Sequence, residues 1–324
     1  MKAVLCRKFG PPDDLELVDL PEPQPGPGEA VVRIKAAALN FFDTLIIAGK
    51  YQHKPPFPFS PAAEFSGIVE SVGAGVTDVA PGDRVMANTG WGAAREAVAV
   101  PANILVKVPD ALDFDRAAGL TVTYGTTLYA LRIRAELQPG ETLAVLGASG
   151  GTGLATVEIG KVMGARVIAC ASSDEKLEFA RKHGAADTVN YASEDLRAAL
   201  KRLGGEHGID VVYDPVGGPY AEPAVRSMAW DGRYLVIGFA AGEIPKLPLN
   251  LVLLKNCDIR GVAWGAWVAR APHRQRELMR DIVMWAAQGK LSAHVHATYP
   301  LADIASALKA IADRKVMGKI VLHP

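Results

Sequence analysis

The sequence predicts an α/β protein with a doubly wound parallel sheet, and three features of its 324 residues lead there. From Leu143 onward, short apolar runs alternate with helix-patterned stretches, the texture of successive βαβ units. One of those runs passes directly into a glycine-rich turn, LAVLGASGGTG, which opens a helical stretch. The chain is also longer than one hydrophobic core usually supports. The part before Leu143 is β-rich and irregular, so a second domain is expected there.

Prolines at 21, 23, 25 and 27 make an extended segment that cannot be helix interior. A strand pattern follows over 30–38, then FSGIVESVG, a glycine-rich turn, and PGDRVMA, a turn leading into another strand. Pro55, Pro56, Pro58 and Pro61 mark a rigid loop. The texture turns helical over 113–131. The strand over 143–146 then runs into Gly147, Gly150, Gly151 and Gly153, and the following helix carries Ala155, Ile159, Val162 and Met163 on one face. A second strand over 166–171 stands at the distance a βαβ unit requires. Leu196, Leu200 and Leu203 line another helical face, and GIDVVYDPVG and GRYLVIGFAAG continue the alternation. Past residue 265 the pattern gives a helix (275–288), a strand (294–299), a helix (303–314) and a last strand (Lys319–His323). These read as a return to the first domain. The expected domains are thus 1–121 with 265–324, and 122–264, with a cleft between them.

A glycine turn between strand and helix lets the backbone press against a pyrophosphate, and the helix N-terminus turns N–H groups and its positive dipole end toward it. The end of the next strand decides which dinucleotide fits. A unit for NAD places Asp or Glu roughly 20 residues past the glycines, to accept from the ribose 2′-hydroxyl. Here Ala171 stands in that place, followed by Ser172, Ser173 and, one turn on, Lys176. Without the carboxylate a 2′-phosphate meets no repulsion, and two hydroxyls and an ammonium supply donors for it. NADPH is the expected cofactor. Ser173 and Asp174 also suit the cap of the next helix, and the two roles are compatible.

Composition narrows the function classes. A 49% hydrophobic and 22% charged content is that of a globular protein, and Lys plus Arg equals Asp plus Glu at 35 each. That balance gives no support for nucleic-acid or anionic-membrane binding. Cys6, Cys170 and Cys257 are scattered, without the paired spacing of a disulfide framework or zinc site. The first residues, MKAVLCRKFG, interrupt their apolar run with Arg7 and Lys8, unlike a signal peptide, and no run reaches membrane-spanning length. A cytoplasmic protein is expected.

PAAEFSGIVESVGAGVTDVAPGDRV, LTVTYGTTLYAL, LQPGETLAVLGASGGTG, VVYDPVGG, YLVIGFAAG and the closing VMGKIVLHP together resemble the medium-chain dehydrogenase/reductase superfamily. Within it the chain is similar to the zinc-free quinone oxidoreductases of the zeta-crystallin type. The resemblance spans nearly the whole chain. It implies a GroES-like substrate domain around a Rossmann domain, NADPH as hydride donor, and a homodimer or homotetramer formed through a sheet edge near 257–265.

Where zinc-dependent relatives carry a Cys, this chain has NFFDTL, and where they carry Gly-His-Glu it has Ala62-Ala63-Glu64. The soft and borderline ligands of a catalytic zinc are therefore absent, and so is the four-cysteine lobe of a structural zinc. Glu64 is expected to be a buried carboxylate bonded to backbone or to a basic partner. None of the seven histidines stands at ligand spacing from an acid or thiol, and His294 and His296 suit a solvated strand face.

By the same resemblance, Asn40 and Asp43 line the cleft near the nicotinamide as catalytic residues, with Asn40 also touching the cofactor. Asp43 serves equally well as a tie for its own loop. Tyr51, the third catalytic candidate, matches an aromatic at the substrate mouth, and it also suits loop packing. Thr126 matches a cofactor contact from the interdomain helix. Gly150, Gly151 and Thr152 offer N–H groups to the pyrophosphate, and Ser149 reads as a phosphate contact, since GASGG is not a nucleophile elbow. Tyr191 packs at the adenosine end or is structural. Gly238 and Phe239 lie against the nicotinamide ribose, and Lys319 matches a polar contact from the C-terminal segment. Trp264 and Trp267 suit either the substrate pocket or the subunit contact.

Without a Lewis acid, alcohols and simple carbonyls are hard to interconvert, whereas quinones and α,β-unsaturated carbonyls accept hydride readily. The expected substrate is a small electrophile, with hydride transfer from NADPH to a quinone. Reduction of the C=C bond of enones, enals, haloacrylates or acyl thioesters is the alternative. A non-catalytic NADPH-binding protein is the alternative of another class.

Overall fold

The computed structural model describes residues 1–324, which separate into two compact units. One comprises Met1–Val122, Met279–Gly289 and Ala293–Pro324; the other comprises Thr123–Leu278 and Lys290–Ser292.

In chain order, the first unit begins with β1 (Lys2–Leu5), β2 (Glu16–Asp19), β3 (Glu29–Leu39), helix α1 (Phe41–Ile47), β4 (Glu64–Val72), β5 (Arg84–Asn88), β6 (Ala97–Pro101), β7 (Val106–Lys107) and α2 (Phe114–Ala118). Helix α3 (Leu120–Leu128) follows. The second unit then alternates strictly: β8 (Thr142–Leu146), α4 (Gly151–Val162), β9 (Arg166–Ala171), α5 (Asp174–Lys182), β10 (Asp187–Asn190), α6 (Leu196–Gly204), β11 (Ile209–Asp214), α7 (Ala221–Arg226), β12 (Met228–Val236), α8 (Leu249–Lys255), β13 (Asp258–Gly261) and α9 (Trp264–Arg270). Helix α10 (Pro272–Ala287), β14 (Val295–Pro300), α11 (Ile304–Ala312) and β15 (Lys319–His323) end the chain.

The six strands of the second unit pair in the order β10-β9-β8-β11-β12-β13, and every pairing is parallel. The order reverses direction at β8, the turn of a doubly wound sheet, and the C-terminal ends of β8 and β11 flank that point. Such strands are covered on both faces, which is why LAVL and VVYD read as unbroken buried runs rather than as alternation. Their core is aliphatic, with Ala144, Leu146, Ile168, Val189, Val212 and Leu200 packed together.

The first unit is a seven-stranded sheet in the order β14-β15-β3-β4-β5-β7, with β6 also on β3. β15 pairs antiparallel with β3 (Ile320 opposite Leu39) and β4 pairs antiparallel with β3 (Ala38 opposite Glu64). Chain segments nearly 300 residues apart are therefore neighbours, with Lys319–His323 forming a strand. Val32, Leu39, Phe65, Val85, Ile320 and Leu322 fill this core.

Candidate active site

The second unit supplies a cradle for a dinucleotide. Gly147 follows β8 at φ +63, a left-handed conformation that costs an L side chain about 1–2 kcal/mol. A Cβ on Gly153 would lie 2.1 Å from the Gly147 carbonyl oxygen, so only glycine lets α4 begin so close to the strand. The N-cap of α4 is Gly150 and offers no side-chain acceptor, which leaves the N–H groups of Gly151 and Thr152 for a ligand's oxygens. Ser149, in the same turn, is nearly buried. These features fit a pyrophosphate.

At the end of β9, Ala171 is followed by Ser172 and Ser173. Ser173 caps α5 by accepting the Lys176 N–H, and the Lys176 ammonium donates to Ser172 Oγ at 3.4 Å. Hydroxyl and ammonium thus converge at the end of β9, which suits a 2′-phosphate. The Tyr191 ring sits 4.3 Å from that of Tyr220, while its backbone N–H donates to the Ala171 carbonyl. Gly238 and Phe239 follow β12, with the Phe239 ring exposed.

Sequence reasoning missed what holds these loops. Asp214, at the end of β11, accepts the N–H groups of Val216 (2.7 Å) and Gly217 (2.8 Å) and the phenol of Tyr234. Burial raises the Asp214 pKa, and the three donors oppose that shift. A Cβ on Gly147 would meet Val216 Cγ2 at 2.9 Å, so the loop that Asp214 pins abuts the glycine turn. Thr126 is buried in α3, and its neighbour Thr127 bonds the hydroxyls of Thr156 (3.3 Å) and Tyr213 (3.2 Å), tying α3 to α4. Glu158, inside α4, takes the Tyr124 phenol (2.7 Å), the Ser292 N–H (3.0 Å) and hydroxyl (2.5 Å), and His183 Nδ1 at 2.8 Å. Apart from the short-range turn from Asp214 to Val216 and Gly217, no local spacing signals these contacts, because they join residues from different elements. Trp264 is buried, donating to Gln275 Oε1 (3.1 Å), and Trp267 stacks on Tyr129 at 4.5 Å.

The first unit gathers Asn40, Asp43, Glu64 and Lys319 into one buried cluster. Strand pairing places them: Asn40 follows β3, Glu64 opens β4, and Lys319 opens β15. Asn40 begins α1, and its N–H donates to Asp43 Oδ2 at 2.7 Å, so Asp43 does tie its own loop. Asn40 Nδ2 donates to Glu64 Oε1 (2.9 Å) and its Oδ1 accepts from the Lys319 ammonium (2.7 Å). Lys319 also donates to Glu64 Oε1 (2.7 Å) and to the Leu39 carbonyl (2.9 Å), so protein acceptors take three bonds from its ammonium. Glu64 Oε2 accepts from Thr121 Oγ1 (2.6 Å) and the Val122 N–H (2.7 Å). Glu64 thus bonds both to backbone and to a basic partner. Ala62, where the resemblance places a glycine, keeps the left-handed conformation at φ 62 despite its methyl.

Burial pushes the Asp43 carboxyl up to about 7; the Asn40 N–H and the Lys319 charge hold it down, and the Glu64 charge adds to the rise. Tyr51 stacks on Phe42 with ring centres 5.5 Å apart, and burial followed by the Asp43 charge raises its pKa. Its phenol therefore stays a hydrogen-bond donor at neutral pH.

The chain is similar to known proteins. Residues 26–110 match a family described as "Alcohol dehydrogenase GroES-like domain" and residues 151–283 one described as "Zinc-binding dehydrogenase". Rat "Quinone oxidoreductase-like protein 2" is 38% identical over 99% of this chain and 91% of its own length. "Quinone oxidoreductase" of Pseudomonas aeruginosa is 33% identical over 100% of this chain and 99% of its own. The crystal structure of Escherichia coli quinone oxidoreductase complexed with NADPH superposes with a TM-score of 0.92 at 28% identity, covering all of both chains. The fold and the site define an oxidoreductase with a GroES-like domain and a Rossmann domain. The chain belongs to the medium-chain dehydrogenase/reductase family, among its quinone oxidoreductase-like members. A zinc ion does not fit the residues present. No three His, Cys, Asp or Glu side chains converge on a point, and Glu64 is already held by four donors.

Proposed function

We propose that the protein is an NADPH-dependent reductase of quinones, acting without a metal. The observation that carries the cofactor assignment is Ala171 in the place of the usual acid, with Ser172, Ser173 and Lys176 beside it. The NADPH complex of the Escherichia coli relative supports it. Gly150, Gly151, Thr152 and Ser149 hold the pyrophosphate; Ser172, Ser173, Lys176 and Tyr191 hold the adenosine end; Thr126, Gly238, Phe239, Asn40 and Lys319 border the nicotinamide end. Lys319 acts there through the Asn40 side chain it fixes.

When bound, the reduced cofactor supplies a hydride, that is, two electrons and one proton. A quinone spreads the incoming charge onto its distant oxygen, so no Lewis acid is needed, and one further proton from water completes the hydroquinone. Tyr51 keeps its proton and donates a hydrogen bond to the acceptor's oxygen. Asn40 and Asp43 hold the wall of the site, with Asn40 clamped at both ends of its amide. The GroES-like substrate domain is assigned 1–121 with 265–324, and the Rossmann domain 122–264.

Leu249, Leu253 and Leu254 are more than two-thirds exposed on α8, and β13 is a sheet edge, which supports a homodimer or homotetramer through that face. The three buried free thiols suit the cytoplasm. NADPH oxidation measured in parallel with 1,4-benzoquinone, 9,10-phenanthrenequinone, methyl vinyl ketone and crotonyl-CoA tests the reading. Turnover of the quinones is expected. Turnover of the enone or thioester alone reassigns the protein as a double-bond reductase, and tight NADPH binding with no turnover makes it non-catalytic.

A further inference from the structure

A cavity of about 560 Å³ opens in the first unit, and none of the residues assigned above lines it, although Asn88 on its wall pairs opposite Glu64 across β4 and β5. Its wall is largely apolar, from Pro56, Pro58, Phe59, Trp91 and Ile104, and Arg95 is the one charged side chain on it. The Arg95 Nε is buried and has no hydrogen-bond partner. No carboxylate lies within ion-pair distance of this guanidinium. The adjacent acid, Glu96, instead accepts the Lys2 N–H at 2.6 Å. Burial is the sole influence on the Arg95 pKa, which it lowers, so no neighbouring charge compensates.

Arg84 also has a buried Nε without a partner, but its Nη2 donates to the Leu112 carbonyl at 2.6 Å and Asp110 lies 3.6 Å from that Nε. Arg33 makes a two-pronged contact with Glu70 (2.7 and 3.0 Å). A second cavity, of about 610 Å³ in the other unit, has two arginines in its wall, but Arg226 is spent on Glu222 at 2.8 and 2.6 Å and Arg197 is exposed to solvent. A guanidinium does not give up its proton near neutral pH, so a half-desolvated one without a partner keeps its full electrostatic cost until an anion meets it. Its planar fork matches a carboxylate's two oxygens. Asn88, also on the wall, uses Oδ1 on the Gly90 N–H (2.9 Å), which leaves its NH₂ as a second donor. The lone cation and apolar wall suit a monoanion with an apolar body better than a phosphate. The volume lies within the usual range for small-ligand sites, about 300–1,000 Å³.

We propose that this cavity binds a small organic carboxylate, its oxygens on Arg95 and its apolar body against Trp91 and Phe59. The site is separate from hydride transfer and goes beyond the function proposed above. Benzoate, phenylacetate and hexanoate are titrated calorimetrically into wild-type protein saturated with NADPH, which covers the cradle in the other unit. Benzamide serves as the neutral isostere of benzoate. At least one carboxylate should bind saturably with one site per chain, with benzamide about tenfold weaker or more if that carboxylate is benzoate. R95Q should lose at least about tenfold in affinity, and R95K should lose less, because it keeps the charge without the fork. Quenching of tryptophan fluorescence by the bound acid should vanish in W91F. An unchanged unfolding midpoint for R95Q keeps the comparison clean, and W91F, whose guanidinium is intact, provides the second line should R95Q fold poorly. Absence of binding by all three acids overturns the proposal, as does equal binding of benzoate and benzamide or full affinity in R95Q.

Discussion

Two sites, one in each unit, treat polar groups in opposite ways. In the first, Asn40, Asp43, Glu64 and Lys319 are buried and satisfy one another, so almost no donor is left over. In the second, the turn from Gly147 to Gly153 is built from backbone alone, and the uncapped start of α4 keeps its N–H groups for something else. The closed cluster spends its donors within the protein; the open turn has donors to spare for a ligand. Substitutions in the cluster should therefore be read in stability, and those in the turn in affinity.

The largest effect is expected at Glu64. E64A leaves the Lys319 ammonium buried without its counter-charge, at a cost of about 3–5 kcal/mol in urea unfolding. The double variant E64L/K319M should lose clearly less than E64A, because it removes both charges together. If the double loses as much as the two singles combined, the pair is not coupled and the contrast between the units fails.

Asp43 sharpens the same side through pH. Its carboxyl is raised to about 7 in the folded chain, against about 4 when unfolded. The folded state therefore holds a proton that the unfolded state has released between these values. The stabilisation is complete below about pH 4 and disappears as pH rises through 7, an effect of about 4 kcal/mol. D43N keeps an acceptor for the Asn40 N–H but does not titrate. Its stability relative to wild type should climb from pH 4 to 7 and then level off, and a difference independent of pH would contradict the raised value.

On the open side, G153A puts a methyl carbon against the Gly147 carbonyl, and NADPH affinity should fall about 100-fold, or roughly 3 kcal/mol, in a fluorescence titration. Undiminished affinity would mean the cradle tolerates a wider turn. The smallest change is K176A, which should weaken NADPH by about tenfold and leave NADH nearly untouched, since only the former carries a 2′-phosphate. Equal losses for both cofactors would remove Lys176 from the phosphate site.

The same contrast sorts what could be read in the letters. The glycine turn was legible because its chemistry is local: strand, turn and helix start lie within a dozen residues, and the absent acid at Ala171 is a matter of counting. The cluster was legible only in pieces. Glu64 could be read as a buried acid in need of a partner and Lys319 as a polar contact, but nothing in either segment names the other. Asp214 and Tyr234 went unread because they face each other across adjacent parallel strands, β11 and β12, separated by a helix. Nothing in the letters around Arg95 marks it, because the absence of an acid within its reach is a matter of tertiary packing.

Local spacing and periodicity thus determined the doubly wound sheet, the nucleotide-type turn and the preference at the adenosine end, because backbone geometry and short-range donors act within one βαβ unit. The pairing of Glu64 with Lys319, the pinning of the loop after β11 by Asp214 and the isolation of Arg95 were decided by tertiary structure alone. Strand register brings distant residues to hydrogen-bond distance, and the strength of each bond depends on how much water that packing removes.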